Sequence, residues 1–144
     1  MIQMKRALIN YAIPLMACVV FVGCFNNARR DLVEQQAEKY YKFLDEEKVD
    51  SVLTLFSPIF YAITPKEKFA DILRERVKFG KTLSRSLVNK EEEVRIENTK
   101  KIILVTLKYK VAYKDGVILE RLSVRSIEPF SPMLTGMHAE KVEE

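Results

Sequence analysis

The side chains that could do chemistry are few in this chain of 144 residues. The two cysteines, Cys18 and Cys24, both precede residue 25, so the rest of the chain has no thiol nucleophile and no cysteine-based metal site. Their side chains point apart on a helix or an extended segment, which disfavours a disulfide between them. His138, the single histidine, lies in the C-terminal tail, so no Ser-His-Asp or Cys-His arrangement can be assembled in the body of the chain. The sequence therefore predicts no cofactor, no metal and no hydrolase or nucleotide enzyme.

One carboxylate is predicted at a position where it could act as a base or anchor a ligand. Glu120 is the only acidic residue on the apolar face of a predicted hairpin, and Arg76 lies on the apolar face of a predicted helix. The tyrosines expected to line the same space are Tyr40, Tyr41, Tyr109 and Tyr113. Two interpretations stay open: Glu120 is a base or ligand anchor in a pocket, or it lies at the rim or pairs with Arg76 as a structural ion pair. In the second interpretation, Arg76 is a structural partner or a snorkelling side chain.

The first part of the chain predicts a targeting or anchoring segment. Lys5 and Arg6 precede an apolar run over residues 7–22, the order of a signal sequence. The run is interrupted by Asn10 and Pro14, and it is shorter than the ~20 apolar residues that cross a bilayer comfortably. An uncleaved membrane anchor, with Cys24 as an inert residue, is the alternative.

The end of that run resembles the lipobox of bacterial lipoproteins. Phe21-Val22-Gly23-Cys24 places a small residue before a cysteine. The resemblance implies a signal peptide over residues 1–23, cleavage after Gly23, and acylation of Cys24 at the head of a tether over residues 24–30. It also implies a periplasm-facing protein of the bacterial envelope. Phe25, where an aspartate would retain such a protein in the inner membrane, favours the outer membrane.

Charge argues against nucleic acid as a partner. The net charge is +4, and residues 24–144 alone carry +2, because Lys5 and Arg6 are the only charged residues before them. Nucleic-acid binding needs a clustered basic footprint. A membrane and a protein or small-ligand partner remain the expected contacts.

Helical periodicity dominates the middle of the chain. Asp31 is a plausible N-cap for a first helix that ends near Leu44, and a shorter amphipathic segment over residues 49–56 stops at Ser57-Pro58. The next helix is predicted from an N-cap at Thr64 to a stop at Gly80. Its apolar face is predicted to contain Phe69, Ile72, Leu73, Arg76 and Val77.

After Gly80 the apolar period changes from 3.6 to 2, which predicts strands. A charged turn is expected at residues 89–93, and a hairpin around Asp115-Gly116, with paired residue numbers that sum to 231. The outer face of this hairpin is predicted to be basic, with Lys108, Lys110, Arg121 and Arg125. These cations are either solvated, or they meet anionic lipid headgroups or an acidic partner.

This order of elements, helices followed by an antiparallel sheet, predicts an α+β fold. Phe56-Ser57-Pro58, Arg76, Gly80 and Arg85 resemble the nuclear-transport-factor-2-like superfamily, similar to small exported bacterial domains. The resemblance implies helices packed on a curved antiparallel sheet, the cystatin-like cone, which we expect over residues 31–138. The acidic residues 139–144 are expected to be a frayed tail, and a homodimer through the sheet is a further expectation.

Three functions follow as expectations. The first is a lipid-anchored envelope protein that binds a partner or ligand without catalysis. The second is a bitopic inner-membrane component of a secretion or envelope assembly. The third is a small pocket enzyme of the isomerase or dehydratase type that uses Glu120 as its base.

Overall fold

The computed structural model describes residues 29–142, with helices in the first half and one antiparallel sheet in the second. The chain divides into two compact units, Met1–Leu32 and Val33–Glu144. The second unit contains the sheet, the core and the residues discussed below. Cys24, Gly23 and the predicted signal peptide lie outside the described residues.

Within the described residues, four helices precede the sheet. Helix α1 covers residues 29–45, and it is followed by α2 (Val49–Leu53), α3 (Pro58–Ile63) and α4 (Lys66–Val77). Helix α3 was not predicted, although its start is legible in the sequence: Pro58 occupies the first turn and the Ser57 side chain accepts a hydrogen bond from the Phe60 amide at 3.4 Å. Thr64 is not the N-cap of α4, which begins after Pro65.

The predicted helix starts at Asp31 and Thr64 are wrong, since α1 already includes residues 29 and 30 and α4 begins after Pro65. The apolar faces follow the predicted pattern with one exception. The apolar stripe of α1 is buried, from Val33 to Leu44. Gly80 terminates the segment after α4 with φ +83°, a conformation that favours glycine, and its amide donates to the Val77 carbonyl. Ile72, predicted on the apolar face, is exposed instead.

The sheet has four strands in chain order, each antiparallel to the next. They are β1 (Ser84–Glu97), β2 (Lys100–Tyr113), β3 (Gly116–Ile127) and β4 (Met133–Lys141). The charged turn expected at residues 89–93 is wrong, because β1 runs straight through it with one register shift between Leu87 and Asn89. The turn lies at Asn98 and Thr99, whose φ angles of 49° and 66° suit a two-residue hairpin loop.

The β2–β3 hairpin exists, but its predicted register is wrong. Tyr113 pairs with Gly116, so the loop is Lys114-Asp115 and the paired residue numbers sum to 229. Glu120 therefore lies opposite Tyr109 and not opposite Val111. The difference of two positions keeps every side chain on its predicted face, because the side-chain period of a strand is two.

Strand β4 replaces much of the predicted frayed tail. Residues 139–141 pair with β3, from Ala139 opposite Glu120 to Lys141 opposite Ile118. Leu134 ties this strand to the helical half, because its amide donates to the Leu55 carbonyl at 2.9 Å and its carbonyl accepts from the Ser57 amide at 2.8 Å. The predicted boundary of the domain at residue 138 is therefore too early.

The fold is α+β, but the expectation of a nuclear-transport-factor-2-like or cystatin-like cone is wrong. The sheet is a four-stranded meander in which each strand pairs with the next along the chain, and buried side chains such as Leu107, Leu122 and Leu134 belong to its hydrophobic core. The change of period from 3.6 to 2 predicts helices followed by strands. It does not determine the number of strands or the curvature of the sheet, and motifs made of packing and turn residues do not determine them either.

Candidate functional site

The most unusual group inside the domain is an ion pair between helix α4 and strand β3. Arg76 Nε donates to Glu120 Oε1 at 2.8 Å, and Arg76 Nη2 donates both to the same oxygen and to the Tyr113 hydroxyl. The side chain of Arg76 is 6% exposed and that of Glu120 is 0% exposed. The structure thus brings Glu120 and Arg76 together as the structural ion pair that the sequence left open.

Aromatic rings enclose this pair. The Arg76 guanidinium carbon lies 4.2 Å from the centroid of the Tyr113 ring and 5.4 Å from that of Phe79, which are cation–π distances. Tyr40 and Tyr41 are buried on α1, with ring centroids 5.1 Å apart in an edge-on arrangement. Within the described residues, the hydroxyls of both make no hydrogen bond of standard geometry.

The electrostatics of the pair act on its neighbours. Burial is the largest influence on the pKa of Arg76 and lowers it, but the charge of Glu120, the neighbouring Tyr113 and the hydrogen bond to Glu120 together raise the pKa overall. Burial, and after it the charge of Glu120, raises the pKa of the Tyr40, Tyr41 and Tyr113 phenols. The guanidinium therefore stays charged and these phenols stay neutral at ordinary pH.

Tyr109, predicted with this group, belongs to a second aromatic cluster on the same face. Its ring lies 5.4 Å from the Tyr41 ring, and the Arg85 guanidinium lies 4.1 Å from the Tyr41 centroid and 5.5 Å from that of Tyr109. Arg85 also forms an ion pair with Glu38 on α1. Burial raises the pKa of Tyr109 to about 12.

Sequence reasoning missed the roles of Arg85 and Phe79. The two-residue period of β1 carried a usable signal for Arg85, because it places Arg85 on the same face as Leu87, towards the helices. Phe79 lies in the turn after α4, where no periodicity applies. Its contact with Arg76, three residues earlier, depends on the turn in which the Phe79 amide donates to the Arg76 carbonyl at 3.2 Å.

This geometry limits what the pair can do chemically. A general base must come within hydrogen-bonding reach of a substrate proton. Glu120 Oε1 is occupied by Arg76, and the carboxylate is enclosed by side chains of α1, α4 and β2. The pair is suited to fixing the helices on the sheet, and one accessible cleft lies beyond Tyr113.

That cleft is small. It has a volume of about 210 Å³ and is lined mainly by Phe79, Tyr113, Val117 and Ile118, with Lys141 at one side. Ligand pockets for drug-sized molecules are larger, on the order of 300–1,000 Å³. Tyr113 and Phe79 stand between the cleft and Arg76.

The predicted basic face divides into two parts. Lys108, Lys110 and Arg121 project from the sheet on the side away from the helices. Arg125, the fourth predicted member, is bound to Glu97 across the sheet at 3.2 Å. Arg125 therefore does not belong to the unpaired basic surface.

The described residues contain neither a metal-binding cluster nor a helix suited to cross a membrane. Among residues 29–142, no group of three or more His, Cys, Asp or Glu side chains is arranged to hold a metal ion. In the same part of the chain, no helix combines the length and apolar character needed to cross a membrane.

Comparison with known proteins finds no match. No family model matches the chain, and no curated protein and no solved structure is significantly similar to it. The resemblance of Phe21-Val22-Gly23-Cys24 to a lipobox therefore stays a prediction from the sequence.

Proposed function

We propose that this protein is a lipid-anchored component of the bacterial cell envelope whose folded unit binds a partner and does not catalyse a reaction. The observation that carries the proposal is Cys24 itself, which follows Gly23 at the end of an apolar run that begins after two basic residues. Several acyl chains on one cysteine would hold the protein firmly, because each buried methylene contributes about 0.8 kcal/mol.

The arrangement of the charged residues supports binding over catalysis. The carboxylate that could have served as a base, Glu120, is bound to Arg76 and enclosed. Exposed cations, in contrast, lie on the outer face of the sheet, where a partner can reach them. A folded unit built this way exposes cations to a partner and buries the one carboxylate that could have acted as a catalytic base.

Intact mass of the protein extracted from bacterial membranes tests the proposal. We expect a mass that lacks residues 1–23 and includes a triacyl addition. Cys24→Ala removes the sulfur to which the lipid is attached, so its product carries no acyl chain. Cys18→Ala is the matched control, because this cysteine lies inside the predicted signal peptide and its loss leaves the mature mass unchanged.

An unmodified, full-length mass would reject the lipoprotein. That result would favour the bitopic inner-membrane component, because residues 7–22 would then be retained. The mass measurement therefore separates the two modes of membrane attachment.

A further inference from the structure

Three cations lie next to one another on the outer face of the sheet. Lys108 on β2 is directly opposite Arg121 on β3, and Lys110 is two residues from Lys108 on the same face. His138 continues the row on β4, opposite Arg121. We call Lys108, Lys110 and Arg121 the cationic row. Their charges are close neighbours, because neighbouring strands are about 4.8 Å apart.

The other arginines on this face have carboxylate partners. Arg95 pairs with Glu93 at 2.7 Å, and Arg125 pairs with Glu97 at 3.2 Å. Within the described residues, the cationic row forms no ion pair with a carboxylate. The nearest carboxylates by register are Glu140 on β4, opposite Leu119 in the row of Lys110, and Glu91 on β1, opposite Thr106 and one row from Lys108. The chain therefore neutralises one part of the face and leaves the other part positive.

Like charges directly opposite each other on paired strands destabilise a sheet. The sheet bears this cost at Lys108 and Arg121, where a single carboxylate in either position would remove it. An external anion bound across the row would offset the repulsion. The occupant must therefore carry negative charge and reach a flat surface on which side chains of adjacent strands stand side by side.

We propose that Lys108, Lys110 and Arg121 form a docking surface for anionic phospholipid headgroups. This inference rests on the proposed membrane attachment. Residue 29, the first residue described in α1, is five residues from Cys24, and five extended residues span at most about 18 Å. A domain held that close to a bilayer meets headgroup phosphates at high local concentration, and basic residues near an anionic surface are attracted to it.

Lysine protection in nanodiscs tests the docking surface. The full chain is reconstituted into discs of phosphatidylcholine alone or of phosphatidylcholine with phosphatidylglycerol, and acetylation rates are read by mass spectrometry. We expect Lys108 and Lys110 to be protected only in the anionic discs. Lys66 and Lys68, exposed on α4, serve as internal references that react at the same rate in both.

A charge-matched pair of variants sharpens the test. Arg121→Gln should lower the protection of Lys108 and Lys110 about fivefold, the change that corresponds to about 1 kcal/mol for one basic residue near an anionic surface. Arg74→Gln removes the same charge from an exposed site on α4 and should leave the protection unchanged. Added salt should weaken the protection, because it screens exposed charges.

Equal acetylation in the neutral and anionic discs would overturn the proposal. Protection of Lys108 and Lys110 in intact cell envelopes, but not in anionic discs, would also overturn it and would identify an acidic protein as the occupant. Both readouts are independent of the anchor chemistry, since the full chain is inserted into the discs whether or not Cys24 is acylated.

Discussion

Charged side chains are paired on the inner face of the sheet and include unpaired cations on the outer face. On the inner face, Arg76 is matched by Glu120 and shielded by aromatic rings. On the outer face, Lys108 and Arg121 lie side by side, and no carboxylate neutralises them within the described part of the chain. The inner charges have almost no exposure, whereas Arg121 and Lys110 are exposed.

The difference follows from the cost of removing water. A buried ion without its partner costs several kcal/mol, so the inner face tolerates charge only as a matched pair. An exposed ion is solvated and screened, so the outer face can keep unmatched cations at a cost of about 0.2–1 kcal/mol. The inner pair is therefore understood as structural, and the outer row is available for an external partner.

The largest expected effect comes from breaking the inner pair. Glu120→Leu leaves Arg76 buried without its counter-charge, and Arg76→Met does the same to Glu120. Each single change should lower the free energy of unfolding by about 3–5 kcal/mol. Chemical denaturation of the full chain in mild detergent measures this loss.

The double variant Arg76→Met with Glu120→Leu decides whether charge matching is the reason. It leaves no unpaired ion, so it should be more stable than either single variant. The control is Arg74→Gln, which breaks the exposed pair with Asp71 and should change stability by less than about 1 kcal/mol. A double variant as unstable as the sum of the singles would show that packing, and not charge matching, holds this site.

The next effect is alkaline sensitivity of the inner face. The ordinary pKa of tyrosine is 10.0, and burial raises that of Tyr109 to about 12. Between these values the unfolded chain loses a proton that the folded chain keeps, so stability falls as pH rises from 10 to 12. The slope is about 1.4 kcal/mol per pH unit for each such tyrosine, and Tyr40, Tyr41 and Tyr113 act in the same direction.

Denaturation at a series of pH values measures that slope. Tyr109→Phe should make it shallower between pH 10 and 12, because one titrating group is removed. Arg121→Gln, on the outer face, should leave the slope unchanged. A slope that is the same with and without Tyr109 would contradict the assignment of the effect to the buried phenols.

The smallest effect is a gain in stability on the outer face. Arg121→Glu places a carboxylate opposite Lys108 and replaces repulsion by attraction, which should raise the free energy of unfolding by about 0.2–1 kcal/mol. Thermal unfolding of the full chain in detergent measures the gain. Arg74→Glu makes the same change of charge on α4, where Arg74 pairs with Asp71, so it should give no such gain.

Local patterns were sufficient for much of the fold. The buried stripe of α1, the stop at Gly80 and the β2–β3 hairpin follow from periodicity and turn residues, and the even shift of register kept Glu120 on the inner face. The predicted turn at residues 89–93 was wrong because a charged segment on an edge strand resembles a loop in composition. Pairing with β2 makes it a strand, and its charges suit an edge.

The candidate site was only partly predictable, because some of its contacts join segments that are distant in the chain. Glu120 and Arg76 were recognisable as polar residues on apolar faces, and Tyr40 and Tyr113 as neighbours on those faces. Tyr109 packs with Arg85, and Arg125 pairs with Glu97. Both contacts join elements that are distant in the chain, so the sequence pattern did not predict them.

The sequence by itself determined that helices precede strands, that Arg76 and Glu120 lie on apolar faces and Lys108 and Arg121 on the outer face, and that Cys24 follows an apolar run. These properties depend on periodicity and on neighbours along the chain. Only the tertiary structure decided that the sheet is a four-stranded meander, that Glu120 is neutralised by Arg76, and that Lys108 and Arg121 are left without a carboxylate. Those outcomes depend on which residues meet across the sheet and the helix layer, because a charge is stabilised or destabilised by its neighbours in space.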